Sequence, residues 1–164
     1  MDDNDIILQS SERLISEAKK LNIIISTAES CTGGMLASFL TSIPGSSAVF
    51  DRGFITYSNS SKIDLLNVNP NTIDNFGAVS DKTAREMALG AVKNSKANLA
   101  VSITGVAGPE GGTKANPVGT VHIATSNSNN IINSRKFIIK DKGRVYIRKM
   151  ASLEAINMLS LSIS

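Results

Sequence analysis

A short run of β-branched residues, Ile23-Ile24-Ile25-Ser26-Thr27, leads straight into Ala28-Glu29-Ser30-Cys31-Thr32-Gly33-Gly34. Apolar residues resume at once and continue to Thr41, where Ser42 to Gly45 break the pattern. β-Branched side chains pack well on a pleated surface, so residues 23–27 predict a buried strand. The stretch from Gly33 to Thr41 predicts a helix stopped by Pro44-Gly45. A short buried strand followed at once by a helix needs other elements to cover its faces. That requirement points to an α/β architecture.

The rest of the chain agrees. Ile6 to Leu21 carries apolar residues near helical spacing. Val49 to Tyr57 reads as a second strand, and Ser60 to Leu66 as a short helix. Asp81 to Asn94 reads as a longer helix, with Asp81 as its N-cap. Leu99 to Ile103 is a third buried strand. Val118 to Thr125 and Ile131 to Ile139 form two more, joined by the Asn/Ser-rich turn at 126–130. Arg144 to Leu161 closes the chain as a helix. Strands alternate with helices early and a hairpin comes late. The expected fold is one domain over residues 1–164, a three-layer α/β/α sandwich with a mixed β-sheet.

Composition narrows the function. The 164 residues are 41% apolar with no tryptophan, so the core is aliphatic. The net charge of +3 comes from scattered basic residues, with no arginine- and aromatic-rich stripe for nucleic acid. Cys31 is the sole cysteine and His122 the sole histidine, which leaves no thiolate cluster for a metal and no intrachain disulfide. The acidic start, Met1-Asp2-Asp3-Asn4-Asp5, is unlike a secretory signal, and no apolar run is long enough to span a membrane. The expectation is a cytoplasmic protein with no membrane or nucleic-acid partner, no metal and no cofactor.

Ser30 falls where a strand ends and a helix begins. There its hydroxyl lies beside free backbone N–H groups that can hold an oxyanion or a phosphate. Gly33 and Gly34 let a ligand approach the backbone closely. The same residues would also serve as an ordinary capped turn, since the G-x-S-x-G pattern is missing. A nucleophilic serine needs a base. His122 lies mid-strand, where a histidine is usually one sheet-face residue among others. Lys62, with Tyr57 at the end of the second strand, is the other option. The stretch Gly105-Val106-Ala107-Gly108-Pro109-Glu110-Gly111-Gly112 follows a buried strand. It matches neither the P-loop nor the dinucleotide fingerprint. It is either a backbone nest for an anion or a plain glycine-rich loop.

Taken in order and spacing, several segments resemble the C-terminal domain of the competence/damage-inducible protein CinA and its stand-alone relatives, the nicotinamide-nucleotide amidases. They are Thr27–Gly34, Pro44–Ser47, Arg52–Asn59, Lys62, Gly77–Ser80, Thr104–Gly112 and Pro117–Val121. The resemblance runs from about Leu14 to Leu159. It implies the same sandwich fold, association as a homodimer or higher homo-oligomer, and hydrolysis of the carboxamide of nicotinamide mononucleotide to nicotinic acid mononucleotide and ammonia. It also places the family's catalytic serine, lysine and tyrosine on Ser30, Lys62 and Tyr57. Candidate substrate-binding residues are Cys31, Thr32, Gly33, Gly34, Arg52, Thr104, Gly105, Gly108, Gly111 and Gly112. Among these, Arg52 is the candidate cation for lowering the Lys62 pKa, and the 105–112 loop, helped by Lys114 or Arg144, the candidate holder of the phosphate. One departure stands out: relatives carry Gly-Asp-Arg before the last helix, where this chain has Lys140-Asp141-Lys142-Gly143-Arg144. A hydrolase of another small amide or ester, or a non-catalytic nucleotide- or partner-binding relative, would share the same segments.

Overall fold

The computed structural model describes residues 2–164; Met1, the start of the acidic leader segment, lies outside the described residues. Helix α1 spans Asp3–Lys20. Asp2 and Asp5 cap its start reciprocally, each carboxylate accepting the other's backbone N–H at 2.9–3.0 Å. Strand β1 is Ile25–Glu29, two residues beyond the predicted run. Helix α2 covers only Met35–Thr41, because Gly33 and Gly34 adopt φ of +57° and +96° and so belong to the turn. Strand β2 is Phe50–Ile55, and helix α3 is Asn59–Leu66.

The sequence reading missed helix α4, Pro70–Phe76. Asn69 caps it and Pro70 opens it, a start signal present in the sequence before a stretch too short to show periodicity. Helix α5 is Asp81–Lys93, and its N-cap is Ser80 rather than Asp81: the Ser80 hydroxyl accepts the Thr83 N–H at 3.2 Å. Strand β3 is Leu99–Gly105, β4 is Thr120–Asn127, β5 is Ile132–Ile138, and α6 runs Arg144–Ile163.

The five strands lie in the order β2-β1-β3-β4-β5. β1 is parallel to both β2 and β3, while β3–β4 and β4–β5 are antiparallel, so the sheet is mixed as expected. Helices α1, α2 and α6 pack together on one face and α3, α4 and α5 on the other, giving three layers. The main core joins Ile7, Leu14, Leu36 and Leu40 to Val101, Ile103, Val121, Ile123, Ile147 and Ile156. Beneath α5, Met87 and Ala91 meet Ala28, Ala100 and Leu66.

From β1 the chain passes to β2 on one side and then crosses to β3 on the other. The connection leaving β1 heads toward β2 and the one leaving β3 toward β4, so the two diverge between the C-terminal ends of β1 and β3. This is a topological switch point, where open α/β sheets hold their ligands. Ser30 is the residue that follows β1.

Candidate active site

The turn after β1 is held from below by Glu29. Its carboxylate, 1% exposed, accepts N–H bonds from Gly34, Leu36 and Ala37 at 2.9–3.1 Å. These donors are the free start of α2, so a buried anion is balanced there by the helix terminus. Glu29 thereby occupies the amides that lie furthest along the turn. The Ser30 N–H donates to Ile103 O at 3.0 Å, and the Gly33 N–H to Ser30 O at 3.1 Å. Among the described residues, no oxygen accepts from the N–H groups of Cys31 and Thr32, and the Cys31 N–H lies toward its own thiol. Of the two residues, Cys31 lines the cleft beside Ser30, while Thr32 is fully buried.

Lys62 comes from the first turn of α3, which Ser58 caps. Its side chain is 1% exposed, and Nζ lies 3.0 Å from Ser30 Oγ. Nζ also donates to the carbonyls of Thr56 at 2.7 Å and Tyr57 at 3.4 Å. Burial pushes the Lys62 pKa below its ordinary value, against a smaller opposing effect of Cys31. Thus the serine's partner is Lys62. His122 faces the α5 side of the sheet, paired in register with Thr104 and Lys136. Its Nδ1 is buried without a partner, and burial lowers its pKa, with Lys136 adding to the effect.

Tyr57 is 62% exposed. Its hydroxyl meets Arg144, which donates from Nη2 at 2.9 Å; only its main-chain carbonyl reaches Lys62. Arg144 Nη1 in turn donates to Gly108 O at 2.8 Å, fastening α6 to the glycine-rich loop. The altered segment before α6 makes its own turn, with Asp141 Oδ1 accepting the Gly143 N–H at 2.9 Å. Arg144 is thus presented at the cleft although Asp141 stands two residues earlier than in the family pattern.

These groups surround a cleft of about 290 Å³, near the lower end of the small-ligand range. Ser30, Cys31, Tyr57, Lys62, Thr104, Gly105, Gly108, Gly111 and Arg144 line it. Val106, Ala107 and Glu110 of the candidate 105–112 loop also line it, as do Ala78 and Val79, which sequence reasoning did not single out as site residues. Nothing in their types marks them out; the loop path puts them there, with Thr104 Oγ1 donating to Ala78 O at 2.7 Å. The N–H groups of Ala107, Gly108, Glu110, Gly111 and Gly112 have no acceptor among the described residues.

Other candidates stand apart. Arg52 is bound to Asp51 at 2.7 Å and reaches Asn94 O beyond the end of α5, so it neither lines the cleft nor perturbs Lys62. Thr32 is fully buried with an unpartnered hydroxyl, and Gly33, Gly34 and Gly112 shape the turns without lining the cleft. Lys114 does not line it either. Cys31 does, but burial pushes its thiol up to about 11, which keeps it protonated. Among the described residues, no three His, Cys, Asp or Glu side chains gather as metal ligands would, and no helix is long and apolar enough to cross a membrane.

A buried serine–lysine pair at the switch point of a mixed α/β/α sheet, facing a loop of free amides, defines the class of domain. The profile of the CinA C-terminal domain matches residues 8–163, and the chain belongs to that family. Over 118 residues it is 48% identical to the nicotinamide-nucleotide amidohydrolase PncC of Escherichia coli K12, covering 72% of each chain. It is 51% identical over 124 residues to a CinA-like protein of Endomicrobium trichonymphae, covering 76% of this chain and 28% of that one. Indeed, the chain spans only about a third of the length of the relatives from Caldicellulosiruptor and Alkaliphilus. Its fold superposes on the crystal structure of the competence/damage inducible protein CihA from Agrobacterium tumefaciens with a TM-score of 0.93, at 46% identity, over 96% of this chain and 95% of that one.

Proposed function

We propose that this chain hydrolyses the carboxamide of nicotinamide mononucleotide, releasing ammonia and nicotinic acid mononucleotide. One observation carries the chemistry: the desolvated Lys62 Nζ sits 3.0 Å from Ser30 Oγ. The substrate comes from the amidohydrolase of that name, which is 48% identical.

A neutral lysine amine has two N–H donors and one lone pair. The carbonyls of Thr56 and Tyr57 take the two donors, which turns the lone pair toward the Ser30 hydroxyl. Ser30 Oγ attacks the carboxamide carbon as its proton passes to Lys62. The carbonyl oxygen becomes an oxyanion and is received by the amide of Cys31, which lines the cleft beside Ser30. Collapse breaks the C–N bond, and Lys62 returns the proton to the departing nitrogen as ammonia. Water, activated by the same amine, then cleaves the acyl-enzyme ester and frees Ser30. Arg144 and the open amides of 107–112 form the cationic, donor-rich wall suited to the nucleotide's phosphate. Binding energy there orients the amide at the other end.

The direct test is to incubate the protein with nicotinamide mononucleotide and measure ammonia together with the acid nucleotide. Release of both supports the reading. An intact substrate under conditions where Ser30 reacts with a serine-directed probe would transfer the same chemistry to another amide or ester. Nucleophile and base both come from the chain itself, so turnover is expected to persist in excess chelator. Loss in chelator with recovery on adding a divalent ion would overturn that expectation.

A further inference from the structure

Arg148, one turn beyond Arg144 on α6, points at the back of the Ser30 turn. Its Nε donates to Cys31 O at 3.1 Å and its Nη2 to Thr32 O at 2.7 Å. Among the described residues no carboxylate pairs with it. Gly33 lies against the guanidinium: a Cβ there would sit 3.4 Å from Nη2.

In a trans peptide the C=O of one residue and the N–H of the next belong to one conjugated unit and point in opposite directions. A cation bound to the carbonyl withdraws charge and makes the opposite N–H a stronger donor. The first contact therefore acts on the peptide whose N–H is that of Thr32. The second acts on the peptide whose N–H is that of Gly33. That N–H donates to Ser30 O, and the peptide of Ser30 O ends in the N–H of Cys31. One guanidinium is thus wired, through Thr32 O, the Gly33 N–H and Ser30 O, to the amide of Cys31, which lines the cleft beside Ser30. Its field also reaches Cys31, where Arg148 and Arg144 oppose the effect of burial on the thiol.

We propose that Arg148 is a positioning residue that polarises the Cys31 amide through the backbone, and so stabilises the oxyanion without touching substrate. The proposal rests on Ser30 as nucleophile, but not on the identity of the amide it attacks.

The experiment uses the full chain as wild type, Arg148→Lys and Arg148→Gln. Three quantities are read: the rate of Ser30 phosphonylation by a fluorophosphonate, whose phosphoryl oxygen meets the same amide; kcat and KM for nicotinamide mononucleotide; and Tm. Removing an oxyanion donor outright costs on the order of a hundred- to a thousandfold. Weakening one is expected to slow phosphonylation and kcat together by about ten- to a hundredfold in Arg148→Gln. The loss should be smaller in Arg148→Lys, which keeps the charge, while KM stays within about twofold and the pH profile keeps its midpoint, because Lys62 is untouched. A merely structural arginine would lower Tm and move KM instead, and that pattern overturns the proposal. So does unchanged phosphonylation in either folded variant, or a wild type whose Ser30 the probe does not label. A wild type that is labelled but leaves the nucleotide intact refutes the substrate reading alone, and the labelling rates still judge Arg148.

Discussion

Lys62 is a lysine with 1% of its surface exposed, placed where burial disfavours its charge. Its pKa lies below the ordinary 10.5 in the folded chain and at that value in the unfolded one. Between the two, the unfolded state binds more protons, so stability rises with pH across that window. Lys62→Met removes the burden of a buried ammonium. Its Tm relative to wild type should therefore be most favourable near neutral pH and decline as pH approaches 10.5. A difference that does not change with pH would mean that Lys62 is not desolvated. In the proposed mechanism the neutral amine is the active form, so wild-type kcat is expected to climb with pH to a plateau, and Lys62→Met to lose it at every pH. The neighbouring pair Ser30 and Cys31 separates by ionisation. With its thiol pushed up to about 11, Cys31 is a thiolate in roughly one molecule in 10⁴ at pH 7. Ser30→Ala is expected to cost at least about 10³-fold in kcat, and Cys31→Ala less than about tenfold. Kinetics with the opposite ranking would hand the attack to the thiol.

At the scale of elements, the position of Lys62 depends on how closely α3 approaches α5. Gly90 of α5 permits that approach: a Cβ at this position would collide with the Leu66 carbonyl at the end of α3. Gly90→Ala improves helix propensity by about 1 kcal/mol, but overpacks a backbone contact at a cost of about 1–3 kcal/mol. The variant is expected to lose stability in denaturant titration. It should also lose turnover, because displacing α3 carries Nζ away from Ser30. A variant as stable and active as the parent would show that α3 adjusts freely. The same scale explains the missed helix. Pro70–Phe76 has only two buried residues, Thr72 and Ile73, too few for a periodic pattern. Its start was written in Asn69-Pro70, where a cap and a proline coincide.

Over the whole molecule, the cleft is made by parts far apart in sequence: the end of β1, the start of α3, the loop after β3 and the start of α6. A ligand that spans them binds only the folded chain and raises its stability. With Ser30→Ala, which cannot turn over, nicotinamide mononucleotide at about 100 times Kd should add about 2.7 kcal/mol. At about 2–4 °C per kcal/mol for this chain length, Tm rises by roughly 5–11 °C. The riboside, lacking the phosphate, is expected to raise it far less. Equal shifts for both would mean that the 105–112 loop and Arg144 shape the cleft without holding the phosphate. The homo-oligomer implied by the family resemblance is checked by light scattering, where the mass of a single chain at working concentration would overturn it.

The sequence by itself determined the order of the strands and of the α-helices other than α4, the mixed three-layer sheet and the candidacy of Ser30, because these follow from local periodicity, turn chemistry and a run of matched segments. It also offered Lys62 and Tyr57 as the alternative to His122, and only the resemblance singled them out, since their spacing from Ser30 carries no geometry. Only the tertiary structure decided between Lys62 and His122, removed Arg52 to the far end of α5, set the Tyr57 hydroxyl against Arg144, and brought Glu29 and Arg148 to bear on the turn. These outcomes depend on which carbonyls, amides and cations meet once the strands are ordered, across separations from 5 residues for Glu29 and Gly34 to 116 for Thr32 and Arg148. A periodic pattern records which face a side chain shows, and never which distant group it will meet there.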